Sequence, residues 1–155
     1  CSDWEESVQQ FNQIGSRVIQ MRISLLMNQE TAFFKYNLLS MKLGIGVVIG
    51  SKEKNISWIH AHDAASFIKE AINNSNYKGA YNLATKEPIS QGMFIKKIKE
   101  KLFPYALIIK IPFFLVKLFL GERSQIINTD VSINVDKLKK EGFIWRFYNF
   151  HFTLL

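Results

Sequence analysis

The 155-residue sequence holds one cysteine, Cys1, so no disulfide can form within it. A chain without a disulfide framework suits a reducing compartment, and the expected location is cytoplasmic. No secretory leader is legible at its start. The longest apolar run, 111–120, is interrupted by Lys117. It falls short of the ~20 residues that span a bilayer, which predicts a core helix and no membrane partner. Acidic residues are the minority, 13 against 20 basic, for a net charge of +7. The lysines gather as Lys96, Lys97, Lys99, Lys101 and as Lys137, Lys139, Lys140, interleaved with apolar residues at helical spacing. That pattern predicts the wet faces of two amphipathic helices and no nucleic-acid partner.

Signatures of chemistry are also scarce. There is no Gly-x-Ser-x-Gly nucleophile elbow and no Lys-Ser/Thr phosphate loop. Gly44, Gly46 and Gly50 lack the spacing and the preceding strand of a dinucleotide fingerprint. His60, His62 and Asp63 form the only His/Asp cluster, too few ligands for the three or four a metal wants, so no metal is expected. No repeat or nucleic-acid-binding signature is present.

What remains is a folding chain, 48% hydrophobic and 21% charged, with thirteen phenylalanines. Residues 3–14 read as a helix capped by Ser2 or Asp3, with Trp4, Val8, Phe11 and Ile14 on one face and Gly15 ending it. Residues 17–26 read as one buried strand. Helix, glycine turn and strand make the second half of a βαβ crossover whose first strand is missing, so the chain is expected to start inside a fold. A helix follows at 30–42. Residues 43–50, with their three glycines, read as tight turns in place of a strand. A strand at 56–60 leads to Asp63, the expected N-cap of a helix at 64–73. Residues 79–85 read as a second parallel strand. Ser90 caps a helix at 91–102, followed by a strand at 105–111, a helix at 113–120, an ambiguous stretch at 124–135 and a basic helix at 135–141. The aromatic tail, 143–152, alternates loosely. His60 is open to two readings, a hydrogen-bonded strand residue or a residue at a ligand mouth, since ligands bind at the carboxyl ends of parallel strands.

Several stretches resemble one family. They are Cys1-x-x-Trp4-Glu5, Met21-Arg22-Ile23, Lys42-Leu-Gly-Ile-Gly46, Gly50-Ser51, Ser57-Trp-Ile-His60 with Asp63, and Gly79-Ala-Tyr-Asn82. Pro88, Ile111-Pro112, Leu120-Gly121-Glu122, Lys137-Leu138, Glu141-Gly142-Phe143 and Arg146-Phe147 follow in the same order. Together they are similar to the C-terminal half of the sugar-nucleotide epimerase-like proteins of the atypical, extended short-chain dehydrogenase/reductase superfamily. The sequence departs from that pattern at Val47-Val48, where Gly-Pro is usual, at Asn55, often aromatic, and after Phe147.

The resemblance implies an α/β fold. Residues 1–85 form the C-terminal part of a Rossmann-like NAD(P)-binding domain with a glycine-loop insertion, and residues 86–155 a small α+β substrate lobe. It implies NAD(P) in an intact parent, none bound tightly by this chain alone, and a small-molecule substrate such as a nucleotide sugar. Arg22, Ile23, Ser24 and Leu25 would lie near the nicotinamide. Gly44, Gly46, Trp58, His60 and Asp63 would serve the substrate pocket or the crossing between lobes. The family's Tyr-x-x-x-Lys pair is absent, because Cys1 stands where the Lys falls, four before Glu5. Catalytic residues are therefore unassigned, the chain alone is expected to be inactive, and an uncovered sheet edge predicts self-association. The alternatives are a free-standing basic, aromatic-rich module that binds protein or nucleic acid, and a lipoprotein acylated at Cys1.

Overall fold

The computed structural model describes residues 2–28, 30–121 and 132–150. Cys1, Glu122, most of the ambiguous stretch and the end of the aromatic tail lie outside the described residues. In order, the elements are α1 (Ser2–Gln9), a 3-10 turn (Gln10–Ile14), β1 (Ile19–Ile23), β2 (Leu25–Met27), α2 (Ala32–Lys42) and β3 (Ile45–Ile49). Next come β4 (Asn55–Ile56), β5 (Trp58–His60), α3 (Ala61–Asn73), β6 (Gly79–Leu83), β7 (Ile89–Ser90) and α4 (Gln91–Leu102). The last are β8 (Leu107–Ile111), α5 (Phe113–Leu120) and a final helix, α6 (Asp136–Lys140). The strands pair two by two. β1–β6, β2–β5 and β3–β8 are parallel, and β4–β7 is antiparallel.

The expected single strand at 17–26 is in fact two. The Ser24 backbone N–H and its hydroxyl both donate to the Leu83 carbonyl, at 3.0 and 2.8 Å. That closes the β1–β6 ladder, and the chain crosses to β5, where the Leu25 N–H meets the Ser57 carbonyl. Nor is the first strand buried. Met21 and Ile23 are exposed, because among the described residues β1 has β6 as its only partner.

The glycine segment is likewise a strand between turns. Gly44 turns with φ +90°, a conformation that costs other residues energy. The next five residues pair with β8 in register, Ile45 opposite Leu107 through Ile49 opposite Ile111. Val47 and Val48 are β-branched and suit this pleat. Gly46 is there for room: a Cβ on it would lie 2.8 Å from Met41 Cε and 3.1 Å from Ile95 Cγ2. It lets α2 and α4 close onto β3.

Two hydrophobic clusters form the core, and each draws on residues from both sides of position 85. The first surrounds α3. Ala64, Phe67 and Ala71 recur on one helical stripe, and the Phe67 ring meets those of Tyr77, Tyr81 and Phe143 at centroid distances of 5.3, 5.2 and 5.9 Å. Ile68 and Ile72, apolar residues of the same helix, are exposed. Arg17 closes the far end of α3, its guanidinium donating to the carbonyls of Ala71, Ile72, Asn74 and Tyr77. The second cluster sets Phe34 and Met41 of α2 and Phe94, Ile95 and Ile98 of α4 around Trp58. The Ser90 side chain caps α4, as its position before the apolar run predicts. Among the described residues no helix is long and apolar enough to cross a membrane.

Candidate functional site

The site is built at the carboxyl ends of β5 and β6. Parallel ladders align their strands in one direction, so His60 closes β5 while Leu83, Ala84 and Thr85 close β6. The segment after α6 lies over these ends and is held by polar bonds. The Trp145 indole donates to the Ala84 carbonyl at 2.9 Å, and the Thr85 hydroxyl donates to the Tyr148 carbonyl at 2.7 Å. Nearby, the Asn82 amide reaches the Asn134 carbonyl, and Lys97 reaches that of Phe150.

Asp63 is the central tie. It was expected to cap α3, but the helix begins three residues earlier than expected, at Ala61. His60 takes the N-cap, its Nδ1 accepting from the His62 N–H at 3.1 Å. The displaced Asp63 lies in the first turn, 1% exposed, and its two oxygens accept the backbone N–H groups of Arg146 and Phe147 at 3.1 and 3.0 Å. A buried carboxylate demands such donors, and a helix N-terminus favours its charge. The bonds draw Phe147 onto the histidines. Its ring lies 4.1 Å from that of His60 and 5.6 Å, edge-on, from that of His62. Burial holds the His60 pKa below its usual 6.5, against the pull of Asp63.

The other expected site residues are placed as follows. Ser24 and Leu25 lie beside this site, with Leu25 opposite Trp58 and Met27 opposite His60 in register. Arg22 is on β1, and its guanidinium is engaged by the Glu5 carboxylate in a two-pronged pair. Ile23 is exposed at the end of β1. Trp58 is fully buried in the second cluster, edge-on to Phe150. Gly44 and Gly46 lie at the amino end of β3, where the Gly44 carbonyl accepts from Leu107. Phe147 was marked only as part of the Arg146-Phe147 match, and Trp145 and Thr85 were not singled out from sequence. The aromatic density of the tail was the signal available for Trp145, and Thr85 showed only as the end of a strand.

The helix start that lies beside the Gly50 turn, that of α4, does not fit the phosphates of a dinucleotide. The loop after Gly50 runs into β4, and its own Lys54 and Lys52 carbonyls take the first amides of α4, those of Gln91 and Gly92. Ser90 takes that of Met93. No helix N-terminus stands open beside a glycine turn there, which is what a pyrophosphate needs. A groove of about 750 Å³ lies at the opposite ends of β1 and β6, between Asn12, Arg17, Asn76 and Lys78. Its Arg17 is already engaged by four carbonyls. Among the described residues no three His, Cys, Asp or Glu side chains gather as metal ligands.

No family model matches the chain. An epimerase family protein of Staphylococcus aureus is 28% identical over 152 residues, which are 97% of this chain and 50% of the relative. Among solved structures, a human epimerase family protein crystallised with NADPH superposes with a TM-score of 0.76 at 19% identity, over 86% of this chain and 45% of that one. A nucleoside-diphosphate sugar epimerase from Corynebacterium glutamicum gives 0.63 at 18% identity, over 96% and 28%. The fold is thus the Rossmann-like α/β fold of these proteins, and the chain spans about half the length of the curated relatives it matches. Sequence match and fold together make the chain similar to one half of the epimerase family proteins.

Proposed function

We propose that this chain supplies the sheet edge and the substrate lobe of an NAD(P)-dependent epimerase- or oxidoreductase-like protein, with residues 86–155 as the lobe. The observation that carries this reading is the convergence of β2, β5 and β6 on one end, roofed by the segment tied to Asp63. Ligands of open α/β sheets bind at such ends. The substrate is a small molecule, and a nucleotide sugar is the class that the Corynebacterium neighbour's name supports. The dinucleotide is held by residues matching the other half of the relatives, because this chain's α4 amides are already occupied. The lone cysteine supports a cytoplasmic site of action.

The test is reconstitution. The chain is titrated with NADPH alone and then together with the complementary half of the Staphylococcus aureus relative. The expected outcome is no saturable micromolar binding by the chain alone and binding by the pair. Micromolar NADPH binding by the chain alone would overturn the proposal that its dinucleotide site lies elsewhere.

A further inference from the structure

His60 is held by three independent constraints. It ends a parallel strand, its Nδ1 accepts the first-turn N–H of His62, and Phe147 lies against its ring. An imidazole nitrogen that accepts a hydrogen bond carries no proton, so the ring's single proton in the neutral form sits on Nε2. Nε2 makes no hydrogen bond among the described residues, and the side chain is half-buried at the strand end. We infer that His60 is a ligand-binding residue whose helix-capping bond fixes its tautomer, so that Nε2–H is presented as a donor to an acceptor oxygen of the bound small molecule. The inference rests on the substrate-lobe reading above for the identity of that molecule, but the state of the ring follows from the local geometry alone.

Asp63 is a positioning residue in this arrangement. It holds the backbone of Arg146 and Phe147, Phe147 holds the imidazole, and the imidazole addresses the ligand. Among the described residues, the titratable groups that act on the ring are Asp63 and His62 of α3, and the Arg146 guanidinium lies 5.6 Å from the ring of Phe147, which packs against His60. β2 places the uncharged Met27 opposite it. Protonation of His60 would remove the capping acceptor and put a positive charge at a helix N-terminus, both unfavourable. A neutral donor is therefore the working state near pH 7.

The experiment uses the full chain with 15N-labelled histidine. Long-range proton–nitrogen correlation spectra are recorded from pH 5 to 8 and then during titration with UDP-glucose. The expected result is a single tautomer for His60, protonated at Nε2, that titrates below 6.5. UDP-glucose should shift its Nε2 resonance. His60→Asn keeps an acceptor for the cap but has no group at Nε2, so it should melt close to the parent and bind UDP-glucose roughly tenfold more weakly, the worth of one hydrogen bond. His60→Gln restores an N–H near Nε2 and should bind better than His60→Asn. An Nδ1–H tautomer, a mixture of the two, or titration at or above 6.5 overturns the inference. So does UDP-glucose binding that shifts other resonances and leaves His60 unmoved. If UDP-glucose shifts nothing, the nucleotide-sugar reading falls, and with it the ligand assigned to His60.

Discussion

The two five-residue parallel ladders, β1–β6 and β3–β8, are built alike and treated differently by the rest of the molecule. Tyr81 and Leu83 of β6 are fully buried beneath α3, α6 and the segment that follows, and each polar group used to hold that cover has a partner. β8 has no fully buried side chain. By alternation and register, Ile45, Val47 and Ile49 share an outer face with Leu107, Ile109 and Ile111. That face is aliphatic throughout, and Leu107 is 68% exposed. Parallel ladders normally have both faces covered. The difference shows that strand pairing does not itself make a core here. The cover does, and it is fastened by a few long-range polar bonds.

Four outcomes would sharpen or break this contrast. The largest effect belongs to Phe67→Ala, which empties the centre of the covered side and should cost about 3–5 kcal/mol in denaturant unfolding. A loss below about 1 kcal/mol would mean that the α3 cluster is not tightly packed. Next is Asp63→Ala, which leaves two backbone N–H groups without acceptors and should cost about 3 kcal/mol. Hydrogen exchange should then quicken at Arg146 and Phe147 before it quickens in α3, and uniform acceleration would refute the idea of a local tie. On the uncovered side, the double change Leu107→Lys and Ile109→Lys should alter stability by no more than about 0.5 kcal/mol while reducing self-association in sedimentation. A large destabilisation would show that this outer face is buried after all. The smallest effect is that of pH. The folded pKa of His60 lies below the unfolded 6.5, so the unfolded chain binds more protons in that window. His60's contribution is complete above 6.5 and is lost as pH falls through the lowered value. A chain carrying His60→Asn should lack this increment when melting temperatures are compared across that window.

The sequence made the helices readable wherever their signals were local. Ser90 before an apolar run located α4, and Asp63 after a short strand located α3 to within three residues of its start. What escaped depended on partners far along the chain. Nothing near Ser24 says that both its donors will meet Leu83. Three glycines within seven positions suggested turns, whereas the strand through them exists because β8 lies alongside. Asp63 was legible as an acidic residue at a helix start, but its actual role depends on amides more than eighty residues away. His60 was left between two readings, and the structure bears on the first of them: it ends a strand, and its Nδ1 accepts a hydrogen bond from the His62 N–H.

The wide separation of paired strands also has a kinetic meaning. β1 meets β6, and β3 meets β8, across about sixty residues of intervening chain, a separation that slows folding through the entropy of loop closure. During synthesis β1 emerges long before its partner and must wait for β6 with its edges open. The residues exposed in that interval include Ile19, which packs against the α3 cluster in the finished fold. Aggregation of the nascent chain is therefore expected to be governed by how quickly translation passes residue 83, and a chaperone that shields the first strand should raise the yield of folded protein without changing its final stability.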